Sequence, residues 1–337
     1  MKKEASCSYK TESDLLKKQG PLPLYFIYGR EDYLRDYFVN ELKALCTGDS
    51  GDGFGYYRFD GMPEKEVLSE AVDTMPFLSD RTFVEIRNAD FNKLSEETLA
   101  VLSEIPEYCT VALIADAVFE PDNRTKCIKF LREKAHTLHF GSQVGRDLDN
   151  WVARRFKAAG KNIGNEAIKR LEFISGEYMN ALIPEIDKLA SYVRGDTVTI
   201  EDVNAIANHI PEASAFDLVD RISSRRNNEA VALLSELLKQ KGVEVPEIIG
   251  ALSYQFRQLY AAKVCEGKGL SILMDVLGTS SDYRAKLAAE AASRFRKEKL
   301  KSCINVLADA EYRMKTSANG DREELLNSIV RIMGEEA

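Results

Sequence analysis

LPLYFIYGREDYLRD, residues 22–36, sets an apolar aromatic run against a glycine and then changes period. The run reads as a short buried strand, and helical spacing takes over from about residue 31. A strand, a glycine and a helix in that order invite comparison with the phosphate-binding loop G-x-x-x-x-G-K-[ST]. Aligned on Gly29, the pattern fails everywhere else. Leu34 stands where a second glycine would let backbone N–H groups close around phosphate, Arg35 replaces the lysine, and Asp36 replaces the hydroxyl that would hold Mg²⁺. Glu31 and Asp32 add negative charge that would repel a triphosphate. Two readings stay open: a nucleotide-binding skeleton stripped of its chemistry, and an unrelated α/β domain with an ordinary strand–turn–helix.

The same change of period recurs outward from this stretch. GYYRFDG (55–61), RTFVEIRNA (81–89), YCTVALIAD (108–116) and HTLHFGS (136–142) read as further short strands, rich in aromatic and β-branched residues. Helix-spaced segments lie between them at about 31–46, 64–74, 95–105 and 123–135. Strands alternating with helices predict a mainly parallel sheet covered on both faces. RTFVEIRNAD ends in Arg87-Asn88 where an ATPase presents metal-binding and water-activating carboxylates. Beyond Gly141 strand signals nearly vanish, and a helical pattern is broken at Gly160, Gly164, Gly176, Gly195, Pro211, Gly242, Gly267–Gly269 and Gly320. IPEAS (210–214) marks the clearest second boundary, because it follows the capped run T-I-E-D-V-N-A-I-A and precedes a new helical segment. The expected division is therefore an α/β domain over 1–143, a small helical domain over 144–211 and a larger helical domain over 212–337.

Composition excludes several classes. The 337 residues are 45% hydrophobic and 30% charged, as in soluble multidomain proteins. MKKEASCSYKTESDLLKK has no apolar core of a leader, and VALIADAVF is too short to span a bilayer, so a cytoplasmic location is expected. Net charge is −8: residues 1–211 hold 27 Lys and Arg against 35 Asp and Glu, and the remainder 19 against 19. A chain that binds DNA by itself would be more basic. Cys7, Cys46, Cys109, Cys127, Cys265 and Cys303 form no C-x-x-C pair and read as reduced, buried thiols. His136 and His139 sit an odd distance apart on a strand, hence on opposite faces, and with His209 make no metal spacing. No nucleophile elbow or Cys/His pair occurs. No catalytic residue, metal or cofactor is expected.

Several segments taken in order resemble one family. PLYFIYGREDYLRDYF (23–38), FDG (59–61), AVDTMPFLSDRTFVEIRNAD (71–90), MNALIPEIDKL (179–189), FDLVDRI (216–222), LSYQFRQLY (252–260) and AEYRMKT (310–316) together are similar to the delta subunits of bacterial DNA polymerase III clamp loaders. The similarity runs from about Pro23 to Met333. It implies an α/β plus α fold: an AAA+-like parallel-sheet domain with a degenerate phosphate loop, a helical lid, and a C-terminal all-helical collar. It also implies a non-catalytic subunit of the replicative polymerase holoenzyme, whose partners are the beta sliding clamp, the gamma/tau and delta-prime loader subunits, and primed DNA within the assembly. A P-loop-like ATPase with an unusual site and a helical scaffold of another complex are the alternatives.

The resemblance gives AVDTMPFLSDR (71–81) a role. In the family two large apolar residues at this helix end enter a pocket on the clamp, and here they match Phe77 and Leu78, with Met75 and Pro76 shaping the approach. Without the family match, Pro-Phe-Leu before a strand reads as a helix stop packed into the local core. ASRFRKEKLKSC holds Arg294, Arg296, Lys297, Lys299 and Lys301, which could line a route for DNA. Helical spacing scatters them over more than one face, which favours a solvated surface. The aromatic and aliphatic stripes of FDLVDRI, LSYQFRQLY and AEYRMKT read as helix–helix core or subunit interface.

Overall fold

The computed structural model of the chain describes residues 6–48, 55–77, 79–239, 244–316 and 320–334. The chain divides into two compact units, one of residues up to Gln143 together with Tyr178–Asn180, the other of Val144–Glu177 and residues from Ala181 onward.

In the first unit the five apolar runs become β1 (Leu24–Tyr28), β2 (Tyr56–Asp60), β3 (Thr82–Arg87), β4 (Cys109–Ile114) and β5 (His136–His139). Helices α1 (Tyr9–Gln19), α2 (Asp32–Thr47), α3 (Lys65–Asp73), α4 (Glu96–Ser103) and α5 (Lys126–Lys134) alternate with them. The strands pair in parallel in the order β2-β3-β4-β1-β5. Central β1 and β4 are buried throughout, which is why neither shows polar alternation. Leu24, Phe26 and Tyr28 face a core built with Leu68 and Val72 of α3, Leu102 of α4, and Ile128 and Leu131 of α5. Tyr25 points to the opposite face, its ring 6.0 Å from Phe38 of α2. Thus α2 covers one face and α3–α5 the other, as right-handed crossovers demand when the chain first steps across β4 and β3 and then returns.

The odd spacing of the histidines is realised along β5. His136 meets Tyr25 edge-on with Nε2 2.9 Å from Glu12, while His139 stacks on Tyr28. The outer side of β5 is closed by the N-terminal segment, where the Cys7 N–H donates to the His139 carbonyl at 2.7 Å. Among the described residues no metal-binding cluster and no membrane-length apolar helix occurs. The six cysteines form no disulfide; five are buried and Cys7 is half-buried.

The second unit contains α6 (Arg146–Ala158), β6 (Asn162–Ile163), α7 (Asn165–Ser175), most of α8 (Met179–Tyr192), β7 (Thr197–Val198) and α9 (Ile200–Ile206). It continues through α10 (Pro211–Ser223), α11 (Asn227–Leu237), α12 (Val245–Val264), α13 (Leu270–Leu277), α14 (Asp282–Ser293), α15 (Lys297–Thr316) and α16 (Asp321–Gly334). The helix-start signals read near residues 199 and 211 act as their chemistry dictates. Thr199 and Asp202 form a reciprocal capping box at α9, and Pro211 opens α10 where its missing N–H is not needed. Central α12 packs on α10, α14 and α15, burying Leu252, Phe256 and Leu259 completely. The apolar stripe of LSYQFRQLY is therefore core on that side, while Tyr254 lies outside it, about half exposed.

Candidate functional site

Because every strand of the large sheet runs the same way, its two ends differ. The loop from α3 to β3 lies at the N-terminal end of the strands, and the loop from β1 to α2 at the C-terminal end. The two segments singled out in the sequence occupy opposite ends of one rigid sheet.

At the N-terminal end, α3 stops at Asp73, and Thr74 is already extended, so Met75 and Pro76 lie beyond the helix rather than bending it. The roots of the loop are pinned on both sides. The Thr74 hydroxyl donates to the Glu70 carbonyl at 2.6 Å, the Thr82 hydroxyl donates to the Thr74 carbonyl at 2.7 Å, and Tyr108 donates to the Asp73 carbonyl at 3.2 Å. Tyr57 reaches Thr74 Oγ1 at 3.2 Å, and the Arg81 N–H donates to the Cys46 carbonyl at 3.1 Å. Between these anchors Met75 is 73% and Phe77 79% exposed, with Pro76 half-buried. Leu78, the second apolar residue of the tetrapeptide, lies outside the described residues. A helix stop packed into its own core would bury Phe77; this one carries it outward on a fixed base.

The C-terminal end is a topological switch point. Chain leaving β1 passes to the face of α2, and chain leaving neighbouring β4 passes to the other, which opens a crevice between them. The crevice has a volume of about 420 Å³ and is lined by Arg30, Glu31, Asp32, Ala117, Val118, Tyr178 and Asn180. No phosphate loop wraps it, since two residues separate Gly29 from the first turn of α2. Gly29 has φ +122°, and a Cβ there would lie 2.1 Å from the Phe140 carbonyl oxygen, so this glycine answers to the packing of β1 against the end of β5. Leu34 is buried in the core. Arg35 is also buried and donates to the Ala115 carbonyl and to Asp32. Asp36 pairs with Arg87 at 2.6 Å, and Arg87 turns its Nε to Glu85. The Asn88 amide donates to Asp60 at 2.8 Å. The two guanidinium groups beside the start of α2, Arg35 and Arg87, are thus each tied to a neighbouring carboxylate.

Glu31, just before α2, is 1% exposed, and its Oε2 meets no hydrogen-bond donor. Burial pushes its carboxyl up to about 7, against the pull of the Met179, Gln143 and Tyr33 N–H groups and the Arg35 guanidinium. The sign for stability follows from linkage. Between the unfolded value of 4.5 and about 7 the folded chain holds a proton that the unfolded chain has released, so Glu31 lowers stability as pH rises through that window. The Glu31→Gln chain should gain on wild type by about 1–3 kcal/mol between pH 4.5 and 7.5, measured by urea unfolding at each pH. A difference independent of pH would show that Glu31 titrates normally.

The C-terminal basic run does not come together as a cationic surface. Lys299 is buried and donates to the Ile332 carbonyl at 2.7 Å, closing the end of α16. Arg294 pairs with Asp220 and Glu290. Arg296, Lys297 and Lys301 remain on the surface, Lys297 lying 5.8 Å from the Tyr260 ring.

A five-stranded parallel sheet with helices on both faces, followed by a mainly helical region, defines the class, α/β plus α. A family model of the DNA polymerase III delta subunit matches residues 25–141, and one of that subunit's C-terminal domain matches residues 212–331. DNA polymerase III subunit delta of Bacillus subtilis (strain 168) is 28% identical over 327 residues, 92% of each chain. A probable DNA polymerase III subunit delta of Aquifex aeolicus (strain VF5) is 22% identical over 295 residues, 83% of each. The solved Bacillus subtilis DNA clamp loader delta protein superposes with a TM-score of 0.62 at 23% identity, covering 97% of this chain and 100% of that one. The chain belongs to the DNA polymerase III delta subunit family.

Sequence reasoning missed Thr74, Tyr57 and Tyr108 as anchors of the exposed loop, and Tyr178–Asn180 as a wall of the crevice. Tyr57 and Tyr108 carry no local signal because each lies 17 or more residues from its partner at the end of α3. Tyr178–Asn180 come from about 150 residues further along the chain and left no trace near Gly29.

Proposed function

We propose that the protein is a clamp-loader subunit that binds the beta sliding clamp through the α3–β3 loop and favours its opened form, without hydrolysing nucleotide itself. The observation that carries this reading is the exposure of Phe77 and Met75 on a loop whose roots are bonded on both sides. Anchoring lowers the conformational entropy lost when the loop enters a pocket, and an aromatic side chain supplies the buried area. Opening needs no bond chemistry: a subunit that binds an opened ring more tightly than a closed one shifts the equilibrium by that difference. Gamma/tau subunits would supply ATP hydrolysis, delta-prime would complete the ring of loader subunits, and residues 144–211 and 212–337 would act as lid and collar in a cytoplasmic assembly on primed DNA. Leu34 buried where a phosphate loop needs a glycine, and Arg35 and Asp36 committed to Asp32 and Arg87, support that division of labour over the ATPase alternative.

The direct test is calorimetry of the full chain against a bacterial sliding clamp, paired with release of clamps from nicked circular DNA in the absence of ATP. Binding at about micromolar Kd or tighter together with clamp release is expected. No heat at about 100 μM, or binding without release, would refute the clamp-opening role. For DNA, alanine at Arg296, Lys297 and Lys301 together should change the salt-dependence slope of loader binding to primed DNA by less than about 1. A loss of about 2–3 would assign these side chains to phosphates.

A further inference from the structure

The last carbonyls of a helix need donors, and at α1, α2 and α5 the residue that follows the helix supplies one. The N–H groups of Gly20, Gly48 and Ala135 turn back to the carbonyls of Leu16, Ala44 and Leu131. At the end of α3 three side-chain hydroxyls take this part. Thr74 donates to the Glu70 carbonyl, Tyr108 to the Asp73 carbonyl and Thr82 to the Thr74 carbonyl. Two of the three donors lie outside the helix, Tyr108 just before β4 and Thr82 at the first position of β3. Chain that leaves a helix closed in this way need not fold back over its end, and Met75 and Phe77 leave it exposed. Thr82 differs from the other anchors in joining the two ends of the loop. Its 2.7 Å bond spans residues 75–81, from β3 to the end of α3, whereas Tyr57 and Tyr108 hold the α3 side alone. Thr82 is 0% exposed, and its own N–H donates to the Tyr108 carbonyl at 2.8 Å, so the sheet fixes the donor. Valine would suit a buried strand position and leave no hydroxyl to satisfy. What the hydroxyl adds is the bond across the neck of the loop.

We propose that Thr82 is a positioning residue for clamp binding: its hydroxyl closes the neck of the loop in the free chain, holds Met75 and Phe77 outward, and raises clamp affinity without touching the clamp. The proposal rests on the clamp-loader reading and adds to it a residue buried behind the contact surface. Apparent affinity scales with the fraction of free chains whose loop already has the binding form. Opening the neck lowers that fraction and with it the association rate. The contacts that set dissociation remain those of the exposed side chains.

The test is surface plasmon resonance of the full-length chain against an immobilised bacterial sliding clamp. Thr82→Val should bind about three- to tenfold more weakly, with the loss in the association rate and the dissociation rate within about twofold of wild type. Phe77→Ala should instead raise the dissociation rate. Thr82→Ser, which restores the hydroxyl, should return affinity to within about twofold of wild type. Thr82→Ala, smaller and also without the hydroxyl, answers the same question if the valine chain loses its cooperative melt. Hydrogen exchange of the free chain reads the clasp in the absence of the clamp. Amides of the loop should exchange at least about threefold faster in Thr82→Val than in wild type or Thr82→Ser, with those of β1 unchanged. A folded Thr82→Val chain that binds as wild type does, a serine chain as weak as the valine chain, or a loss carried by dissociation alone would overturn the proposal. No binding by wild type removes the clamp reading and this inference together; wild-type binding that Thr82→Val leaves intact removes this inference alone.

Discussion

Phe77→Ala should weaken clamp binding about 30- to 300-fold while leaving the urea midpoint of the chain within experimental error. The binding estimate comes from removing an aromatic anchor from a partner pocket, which costs about 2–3.5 kcal/mol at hot spots. The stability estimate comes from exposure: a side chain 79% in contact with water loses little on truncation. The pairing of the two results decides the matter. If Phe77 were part of the folded core, the substitution would lower stability as well as affinity. If it were ordinary surface, it would change neither. Met75→Ala, exposed to a similar degree, should cost less, about 1 kcal/mol or three- to tenfold, because a flexible thioether loses more freedom on binding than a ring. Surface plasmon resonance against immobilised clamp measures both.

That expectation draws on the structure more than on the sequence, and the reason is physical. The string Met75-Pro76-Phe77 suits a helix stop that packs inward as well as it suits one that projects. Hydrogen bonds of Thr74 and Thr82, of Tyr57 on β2 and of Tyr108 just before β4 decide between the two. Long-range pairing of that kind has no local signature. By contrast, β1 to β5 were legible because a strand buried on both faces must be continuously apolar, and the intervening helices because their spacing alternates with those runs. The first helix, α1, was not read. Only Ser13 and Leu16 are buried along it, and polar bonds from Tyr9, Ser13 and Lys17 to Glu41 hold it in place. The ladder of β6 and β7 escaped because two residues per strand leave no period to detect. At the crevice, the failed motif at Leu34, Arg35 and Asp36 was plain in the sequence. That Arg35 is sealed inside, that Asp36 serves Arg87, and that Glu31 is buried all depend on neighbours brought by β3, β4 and Tyr178–Asn180.

Gly29 carries the second large effect. Aligned with a phosphate loop, it would be the glycine that lets a backbone approach a ligand; in the fold, what approaches is the chain's own Phe140. Glu31 N–H donates to the Phe140 carbonyl at 3.1 Å, and Phe140 N–H donates to Tyr28 at 2.9 Å, so the end of β5 is bonded to both flanks of Gly29. Gly29→Ala would place a methyl 2.1 Å from that carbonyl oxygen and 2.5 Å from its carbon, at a φ that side chains rarely adopt. Neither obstacle is the movable tip of a side chain. The cost should be about 3–5 kcal/mol, read as a fall in the urea midpoint or failure to fold at 37 °C. Gly61→Ala is the control. Its φ is +88°, but nothing lies within 4 Å of the added carbon, so strain alone should cost about 1–2 kcal/mol. A large gap between the two assigns Gly29 to the contact with β5. Equal costs would mean that conformation alone requires glycine, and that the strand could shift to admit the methyl. In the first case the glycine that looked like a remnant of phosphate binding holds the sheet together. Its retention would then report on the fold of this domain and carry no information about nucleotide.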